Sequence, residues 1–184
     1  GSTRAMNWKS GSLYALGGVS GYGATYANHV NLLGRVAGAG TVLDASGQIV
    51  GTRALKWTGG TLSDLGTLGG HHAAALSIND SDQIVGYATL AGDAQIRAFI
   101  YQNGVMSMIA MYAGTTESYA YDISNTGFVV GTCVAGTPAK PFMWRGGVFQ
   151  PLPIPVYART GAANAVNDAG VAAGCWEANQ YTGS

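Results

Sequence analysis

The sequence has few charged residues and no long apolar run. Charged side chains make up 10% of the 184 residues, against about a quarter in an average globular protein. Nine Lys plus Arg balance nine Asp plus Glu, so no basic surface would attract a nucleic acid. No run approaches the ~18 apolar residues that a membrane-spanning helix needs. The sequence therefore predicts no nucleic-acid partner and no membrane insertion.

Helical patterning is also missing. No segment shows a sustained 3.6-residue apolar period, and 29 glycines are spread along the chain. Each glycine inside a helix costs about 1 kcal/mol relative to alanine, so this composition disfavours helices. The apolar share of 47% is ordinary and still allows a packed core. We therefore predict an all-β chain rich in turns.

Two markers show that a block of sequence recurs. An aromatic residue recurs at steps of 49, 44 and 43 residues, and a glycine recurs at steps of 48, 45 and 43. Because the two sets of steps agree, we predict a single repeat domain over residues 1–184, in which neighbouring repeats bury a shared core. The markers are Trp8, Trp57, Tyr101 and Trp144, and Gly38, Gly86, Gly131 and Gly174.

Each repeat is predicted to contain four short strands, which we call a, b, c and d. In the third repeat these are residues 119–123, 128–131, 141–144 and 148–150, with turns at 125–127 and 145–147. In the first repeat, strands a and b are placed at residues 26–31 and 35–38, with residues 44–51 as an alternative hairpin.

Four-stranded repeats of this length are typical of β-propeller blades, with a solenoid as the competing architecture. The sequence begins at a strand c and stops after a strand b. We expect residues 4–16 and 162–176 to pair as one composite blade, which would remove open sheet edges. The predicted fold is a four-bladed β-propeller closed by its N-terminal and C-terminal hairpins. A four-blade segment that pairs with a second copy, as a homodimer, is the variant of this prediction.

The chain has two cysteines, Cys133 and Cys175, in neighbouring repeats. Packed sheets lie about 10 Å apart, whereas a disulfide needs Cα atoms within about 7 Å. We therefore expect two isolated, buried thiols.

Two segments resemble the HAF-type bacterial extracellular repeat, whose units carry Asp-Leu-Gly-x-Leu-Gly-Gly and Ile-Asn-Asp-x-Gly-x-x-Val-Gly motifs. The matching segments are residues 64–70 and 78–86, and the likeness extends over essentially the whole chain. The resemblance implies secretion or display on the bacterial cell surface, in some cases within an autotransporter passenger. It implies no settled activity.

The connections d–a and b–c are predicted to share one edge of the molecule, the upper rim. The a–b and c–d turns would share the opposite edge, the lower rim, where Asn79, Asp80, Asn125 and Asp168 are better explained by closing turns than by a ligand site. Aromatic rings beside a few polar groups suit a glycan or a polar peptide, so we expect a ligand site on the upper rim. The predicted ligand residues are Tyr22, His71, His72, Glu117, Tyr119, Tyr157 and Arg159.

No cofactor and no metal are predicted. Successive side chains on a strand point to opposite faces, so His71 and His72 are poorly placed to hold one ion together, and no third ligand stands at a zinc-like spacing. The Asp80-Ser81-Asp82 segment lacks the further acidic ligands of a calcium loop.

These features together predict a secreted or surface-displayed bacterial binding or adhesion module. The sequence signatures of nucleophile elbows, nucleotide loops and zincins are absent, which favours a protein that is not an enzyme. The alternative is a carbohydrate-active hydrolase or lyase that uses Asp93 and Glu117, whose carboxyl groups would have to lie about 5 Å or about 6.5–9.5 Å apart. A third hypothesis is a ligand-free structural spacer within a larger exported protein.

Overall fold

A computed structural model describes residues 3–18, 20–111, 113–136 and 139–178. Within these ranges the chain forms sixteen strands and one short 3₁₀ helix at Ala91–Asp93. The all-β part of the predicted fold is therefore confirmed. No helix in the same ranges is long and apolar enough to cross a bilayer.

Three four-stranded units follow one another along the chain. The first consists of β3 (Tyr22–Val30), β4 (Val36–Leu43), β5 (Ile49–Thr58) and β6 (Thr61–Asp64). The second consists of β7 (Gly69–Ile78), β8 (Ile84–Leu90), β9 (Ile96–Gln102) and β10 (Val105–Met108). The third consists of β11 (Glu117–Ile123), β12 (Val129–Val134), β13 (Lys140–Arg145) and β14 (Val148–Pro151). In each unit the strands pair antiparallel in chain order, as strands a to d.

A hairpin flanks the three units at each end. The N-terminal hairpin is β1 (Met6–Lys9) with β2 (Ser12–Ala15), and the C-terminal hairpin is β15 (Ala158–Val166) with β16 (Ala172–Ala178). By their place in the repeat, β1 and β2 are strands c and d, and β15 and β16 are strands a and b. Each hairpin forms a separate two-stranded sheet among the described residues. The closed four-bladed ring, which needs β1 to pair with β16, stays a prediction.

Every c–d hairpin turns through two residues that both have positive φ. Such a turn matches the right-handed twist of the flanking strands and favours glycine or asparagine. The pairs are Ser10-Gly11, Gly59-Gly60, Asn103-Gly104 and Gly146-Gly147. In the first unit, β3 and β4 form the a–b hairpin. The segment 44–51 contains the turn that joins β4 to β5, so it belongs to the b–c connection and is not the alternative a–b hairpin.

The apolar core lies in layers between successive sheets. Each layer takes residues from two neighbours, so a unit is stabilised by the units beside it. The N-terminal hairpin and the first unit share Ala5, Leu16, Val36, Leu55 and Trp57. The first and second units share Ala37, Ala54, Leu65, Ala73, Ala75, Ile78, Ile84, Ala88 and Phe99. The second and third share Val85, Ala98, Ile100, Ile109, Ala120, Ile123, Val129, Cys133 and Phe142.

The two thiols differ in exposure. Cys133 is buried and Cys175 is exposed, and neither forms a disulfide. The expectation of two buried thiols is therefore confirmed for Cys133 and wrong for Cys175. Cys175 lies on β16, beside which the described residues place no strand c, so the side chains of β16 stay exposed.

The a–b turns link consecutive units as well as reversing the chain. The backbone N–H of Leu32 donates to Asp80 Oδ1, that of Asp80 to Asn125 Oδ1, and that of Asn125 to Asp168 Oδ1. Asp80, Asn125 and Asp168 therefore lie in turns, as expected, and also link neighbouring units. Each carries a hydrogen bond from the preceding repeat, which holds neighbouring strands a in register.

The same turns surround one small depression on the lower rim. Its volume is about 250 Å³, and every strand a contributes to its lining. The lining includes His29, Asn31, Ile78, Asn79, Asp122, Ser124, Val166 and Asp168. The four strands a therefore end around a common point.

Candidate functional site

Strand a of each unit contacts strand c of the preceding one at the upper rim. Backbone and side-chain groups both contribute to these contacts. The hydrogen bonds run from Thr25 N to Thr3 O, Ala73 N to Thr52 Oγ1, Ala98 N to Ser118 Oγ, and Gly161 N to Ala139 O. The starts of strands a and c are thus fixed to one another, and this edge carries the predicted ligand residues.

A recurrent arginine strengthens three of these contacts. The Nη1 atoms of Arg4, Arg53 and Arg97 donate to the carbonyls of Gly23, His71 and Thr116, at 3.0, 3.0 and 2.6 Å. Our sequence interpretation missed this role. The signal was present in the repeat, since each arginine stands four residues before the aromatic that closes strand c, and Lys140 stands at the same distance before Trp144.

His71 and Asp93 form a hydrogen-bonded pair on the second unit. His71 Nδ1 lies 2.6 Å from Asp93 Oδ2, and the side chain of His71 is 66% exposed. A carboxylate can only accept hydrogen bonds, so Nδ1 carries a proton, and in the neutral imidazole the lone pair lies on Nε2. The outward nitrogen of His71 is therefore a base that solvent and small molecules can reach.

Three donors hold the Asp93 carboxylate in place. Thr89 Oγ1 donates to Oδ1 at 2.5 Å, and the backbone N–H of His71 donates to the same oxygen at 2.7 Å. The Thr89 hydroxyl, followed by the two hydrogen bonds from His71, lowers the pKa of Asp93 well below its usual value. Asp93 stays ionised and orients the imidazole, so it cannot supply a proton as a general acid.

A polar network connects this pair with Tyr22 on the first unit. Tyr22 donates its hydroxyl hydrogen to Asp64 Oδ2 at 2.6 Å, and Arg53 Nε lies 3.9 Å from the same oxygen. Burial, and then the hydrogen bond to Asp64, raises the pKa of Tyr22 well above its usual value. Tyr22 is therefore hydrogen-bonded to Asp64, a residue that the sequence interpretation missed. Arg53 lies beside Asp64 and donates to the main-chain carbonyl of His71, so it joins the two groups.

Glu117 and Tyr119 form a second pair on the third unit. The Tyr119 hydroxyl donates to Glu117 Oε2 at 3.0 Å, and Glu117 pairs with Ile96 in the parallel bridge that joins the second and third units. The ring of Tyr119 lies between Tyr87 and Tyr121, at centroid distances of 5.2 and 6.3 Å. Tyr119 is thus packed among aromatic rings, with its hydroxyl directed at a carboxylate.

The ionisation of Tyr119 gives a direct check on this pair. Burial, and then the hydrogen bond to Glu117, raises the pKa of Tyr119 to about 12. The phenol is held neutral, so its contribution to stability is present below the ordinary pKa of about 10 and is lost as the pH rises through the folded value. We expect Glu117→Gln to move the phenolate absorbance midpoint only part of the way towards 10, because burial is the larger cause. The measurement is the ultraviolet titration difference between the wild type and Tyr119→Phe, and an unshifted Tyr119 midpoint would contradict the pairing.

The other predicted ligand residues lie along the same rim but make separate contacts. Tyr157 packs edge to face on Trp176 at a centroid distance of 5.4 Å, whereas Arg159 is exposed on β15. His72 follows His71 on β7, and its backbone N–H donates to Thr89 Oγ1 at 3.1 Å. Among the predicted ligand residues the structure pairs Glu117 with Tyr119, whereas the partners of Tyr22, His71 and Tyr157 are Asp64, Asp93 and Trp176.

A cavity of about 580 Å³ also opens on this edge. It includes one of the predicted ligand residues, Tyr22, in a lining of Arg4, Ala15, Leu16, Gly17, Gly18, Ser20 and Tyr22. Across the described ranges, no group of three or more His, Cys, Asp or Glu side chains could hold a metal ion.

Comparison with known proteins found a match to a solved structure and none to a sequence family. No protein-family model and no curated protein matches the sequence. The structure is similar to that of a gluconolactonase from Xanthomonas campestris, with a TM-score of 0.46 and 16% sequence identity. The match covers 93% of this chain and 62% of the gluconolactonase, so this chain spans less than two thirds of that protein's length.

The expectation of a binding or adhesion module is corrected at this point. A solved structure to which the chain is similar is that of a gluconolactonase, an enzyme. Glu117, which was expected to present a hydrogen-bonding group to a ligand, accepts a hydrogen bond from Tyr119. At this TM-score the likeness gives the chain no activity, and the chemistry has to be argued from the rim itself.

Proposed function

We propose that the chain is a hydrolase of carbohydrate-derived esters or lactones, with His71 as its general base. One observation carries the proposal: His71 Nδ1 is bound to Asp93 Oδ2 at 2.6 Å while the side chain of His71 is 66% exposed. A carboxylate that fixes the tautomer of a histidine leaves Nε2 as an oriented base for water. Asp93 acts as a positioning residue in this scheme.

The ionised state of Asp93 favours hydrolysis of an ester or lactone over cleavage of a glycosidic bond. Cleavage of a glycosidic bond by two carboxyl groups needs one of them protonated, to donate to the leaving oxygen. Asp93 cannot be that acid, because the hydrogen bonds from Thr89 and His71 keep it ionised, and as the ionised partner it would already have both oxygens engaged by Thr89 and His71. Opening an ester or lactone needs a base for the attacking water and a stabilised oxyanion, which a His–Asp pair beside a cation supplies.

The proposed reaction uses groups already in contact on the rim. His71 Nε2 accepts a proton from water, and the oxygen of that water forms a bond to the substrate carbonyl carbon. The negative charge on the carbonyl oxygen is stabilised by the guanidinium of Arg53, which is held against the main chain of His71. The C–O bond of the ester then breaks, and the proton passes from the imidazolium to the leaving oxygen.

Turnover on defined substrates tests the proposal. The purified chain would be assayed on a sugar lactone, an aryl acetate and an aryl glycoside, and we expect hydrolysis of the first two. His71→Ala should lower kcat/KM by about 10²–10⁴-fold, the usual contribution of a general base. Turnover of neither the lactone nor the acetate would contradict the proposal and favour a structural spacer.

Two aspartates provide a matched control. Asp44 closes the b–c turn of the first unit, where hydrogen bonds from Ser46 and Gln48 lower its pKa, as those from Thr89 and His71 do for Asp93. The side-chain hydrogen bonds described for Asp44 include none to a histidine. Asp93→Asn should therefore impair hydrolysis, while Asp44→Asn should leave it unchanged. Equal losses of hydrolytic activity in both variants would show that the contact of Asp93 with His71 is not the cause of the loss.

Four further points belong to the proposal. The strand order of the units and the depression shared by the four strands a support blades of a β-propeller around one axis. Secretion or display by a bacterium follows from the HAF-type resemblance of residues 64–70 and 78–86. No cofactor is included, and no nucleic acid or membrane partner. The fourth point is a homodimer, in which a second copy pairs with this chain.

A further inference from the structure

A cleft of about 530 Å³ opens on the lower rim, between the second and third units, and we call it the inter-unit cleft. The second unit lines it with Gln83 and Gln102, and the third lines it with Asn125, Trp144 and Arg145. Among the described residues that line it, none is Asp or Glu. Both flanking units have all four strands, so the packing of two complete units forms the cleft.

The main chain fixes how the glutamine amides of the cleft are oriented. Asn79 Oδ1 accepts the backbone N–H of Gln83 at 2.9 Å, so Asn79 Nδ2 is the donor to Gln83 Oε1 at 2.8 Å. With its oxygen used in this way, Gln83 donates from Nε2 to Gln102 Oε1 at 2.9 Å. No acceptor for Gln102 Nε2 is found among the described residues. Gln102 is therefore left with free N–H donors, while its oxygen is already engaged.

Asn125 and Arg145 add donors from the third unit. Asn125 Oδ1 accepts the backbone N–H of Asp80 at 2.9 Å, which leaves Asn125 Nδ2 as a donor. Arg145 Nε donates to Thr126 O at 3.1 Å, and Cζ of its guanidinium lies 4.4 Å from the centroid of the Phe128 ring. Within the described ranges, no carboxylate forms a salt bridge with Arg145. The two Nη atoms of this positioned guanidinium remain as a planar pair of donors.

Trp144 adds an aromatic surface that its counterpart in the first unit does not offer. Trp57 is 1% exposed, and its indole N–H donates to Gly17 O. Trp144 is only partly buried, and no acceptor for its indole N–H is found in the part of the chain that the structure describes. The inter-unit cleft thus combines an accessible ring, an excess of N–H donors and one positive charge.

We propose that the inter-unit cleft binds a carboxylated sugar, such as a uronate residue of an acidic polysaccharide. A carboxylate only accepts hydrogen bonds, so it complements a cleft whose amide oxygens are already engaged. Its two oxygens match the paired donors of Arg145, with the amides of Gln102 and Asn125 on the same cleft wall. Flat aromatic rings cover the apolar face of a sugar, which is the role of Trp144.

Binding of trigalacturonate, a chain of three uronate residues, tests the proposal. We expect it to bind about tenfold or more tightly than the neutral galactose trisaccharide of the same linkage, which lacks the charge-assisted hydrogen bonds. Sulfate should bind more weakly than trigalacturonate, because it has no ring to lie on Trp144. The indole N–H resonance of Trp144, assigned from its loss in Trp144→Phe, should shift on addition of trigalacturonate, while that of Trp57 should not.

Two pairs of variants locate the site. Arg145→Gln and Lys140→Gln remove the same charge from opposite ends of β13, and only the first should weaken binding, by about tenfold or more. Gln102→Glu keeps the oxygen that accepts from Gln83 but replaces a donor with a negative charge, so it should weaken binding as well. Gln95→Glu makes the same change at another glutamine whose oxygen accepts a hydrogen bond, outside the cleft lining, and should leave binding unchanged. If Arg145→Gln fails to fold, the second pair carries the test.

The inter-unit cleft and the His71–Asp93 pair lie on opposite rims, so this proposal does not rest on the proposed hydrolysis. His71→Ala should bind trigalacturonate as the wild type does, even if the chain hydrolyses no ester. Loss of binding in His71→Ala would place the ligand on the upper rim and contradict the proposal. Equal affinity for the charged and neutral trisaccharides, sulfate binding as tight as that of trigalacturonate, an unshifted Trp144 resonance, or equal losses within either pair of variants would also overturn it.

Discussion

Replacing Gly86 with alanine is expected to remove more than about 4 kcal/mol of stability, a loss reached by few single substitutions. Gly86 lies on β8, in the middle of the second unit. An added Cβ would be 1.9 Å from the carbonyl oxygen of Ala74 and 3.1 Å from Cα of Ala75. Both atoms belong to the backbone of β7, so the clash can be relieved only by moving a central strand.

The cause is a bulge that recurs in every repeat. Strand pairing shifts between Ala75 and Ser77, and the extra residue pushes a carbonyl towards β8. The same close approach occurs at Gly38, Gly131 and Gly174, with distances of 1.9, 1.9 and 2.0 Å to the facing carbonyl oxygen. The recurrent glycine is therefore required by the bulge opposite it.

Denaturant unfolding of Gly86→Ala and of Gly18→Ala measures the effect. Gly18 is a suitable control because, among the described residues, an added Cβ would have one neighbour within 4 Å, the end of the flexible Arg4 side chain at 3.5 Å. We expect the Gly18 variant to stay within about 0.5 kcal/mol of the wild type. Similar losses at the two positions would show that the close approach at Gly86 is not the cause.

Trp57→Ala is the second change for which we expect a large effect, a loss of about 3–5 kcal/mol. Trp57 is buried in the layer between the N-terminal hairpin and the first unit, with Val36 and Leu55. Its indole Nε1–H donates to Gly17 O at 2.7 Å. The substitution removes a large apolar surface, leaves a cavity and deprives a carbonyl of its donor.

The repeat supplies the control for this experiment. Trp8 stands at the same position of the preceding repeat but is 69% exposed. At concentrations where the chain is monomeric, Trp8→Ala should change the free energy of unfolding by less than about 1 kcal/mol. The shift of the denaturation midpoint compares the two variants directly, and a large loss for Trp8→Ala in the monomer would mean that its packing is already complete.

The strands could be predicted because their signals are local. Two-residue turns such as Asn103-Gly104 identify the c–d hairpins, and the agreement of two markers locates the repeats without any knowledge of packing. Cys175 shows where this reasoning failed. Its exposure depends on whether a strand lies beside β16, which no property of residues near Cys175 determines.

The candidate site was harder to predict for the same reason. His71 and Asp93 were each singled out, but on different hypotheses, one as a ligand contact and the other as half of a carboxylate pair. They are 22 residues apart and meet because the turn at Ala91–Asp93 folds back over the start of β7. The sequence places both residues on one rim, whereas the partner of each depends on turn geometry with positive φ at Gly92 and Asp93.

The links between a–b turns give the row of units a direction. Each repeat offers a backbone donor to the one that follows and an aspartate or asparagine acceptor to the one before, as in the bonds from Leu32 to Asp80 and from Asp80 to Asn125. A tandem duplication of one whole repeat would thus create junctions that match on both sides. Gene variants of different length, gained or lost in steps of one repeat, should stay foldable, while insertions of half a repeat should not.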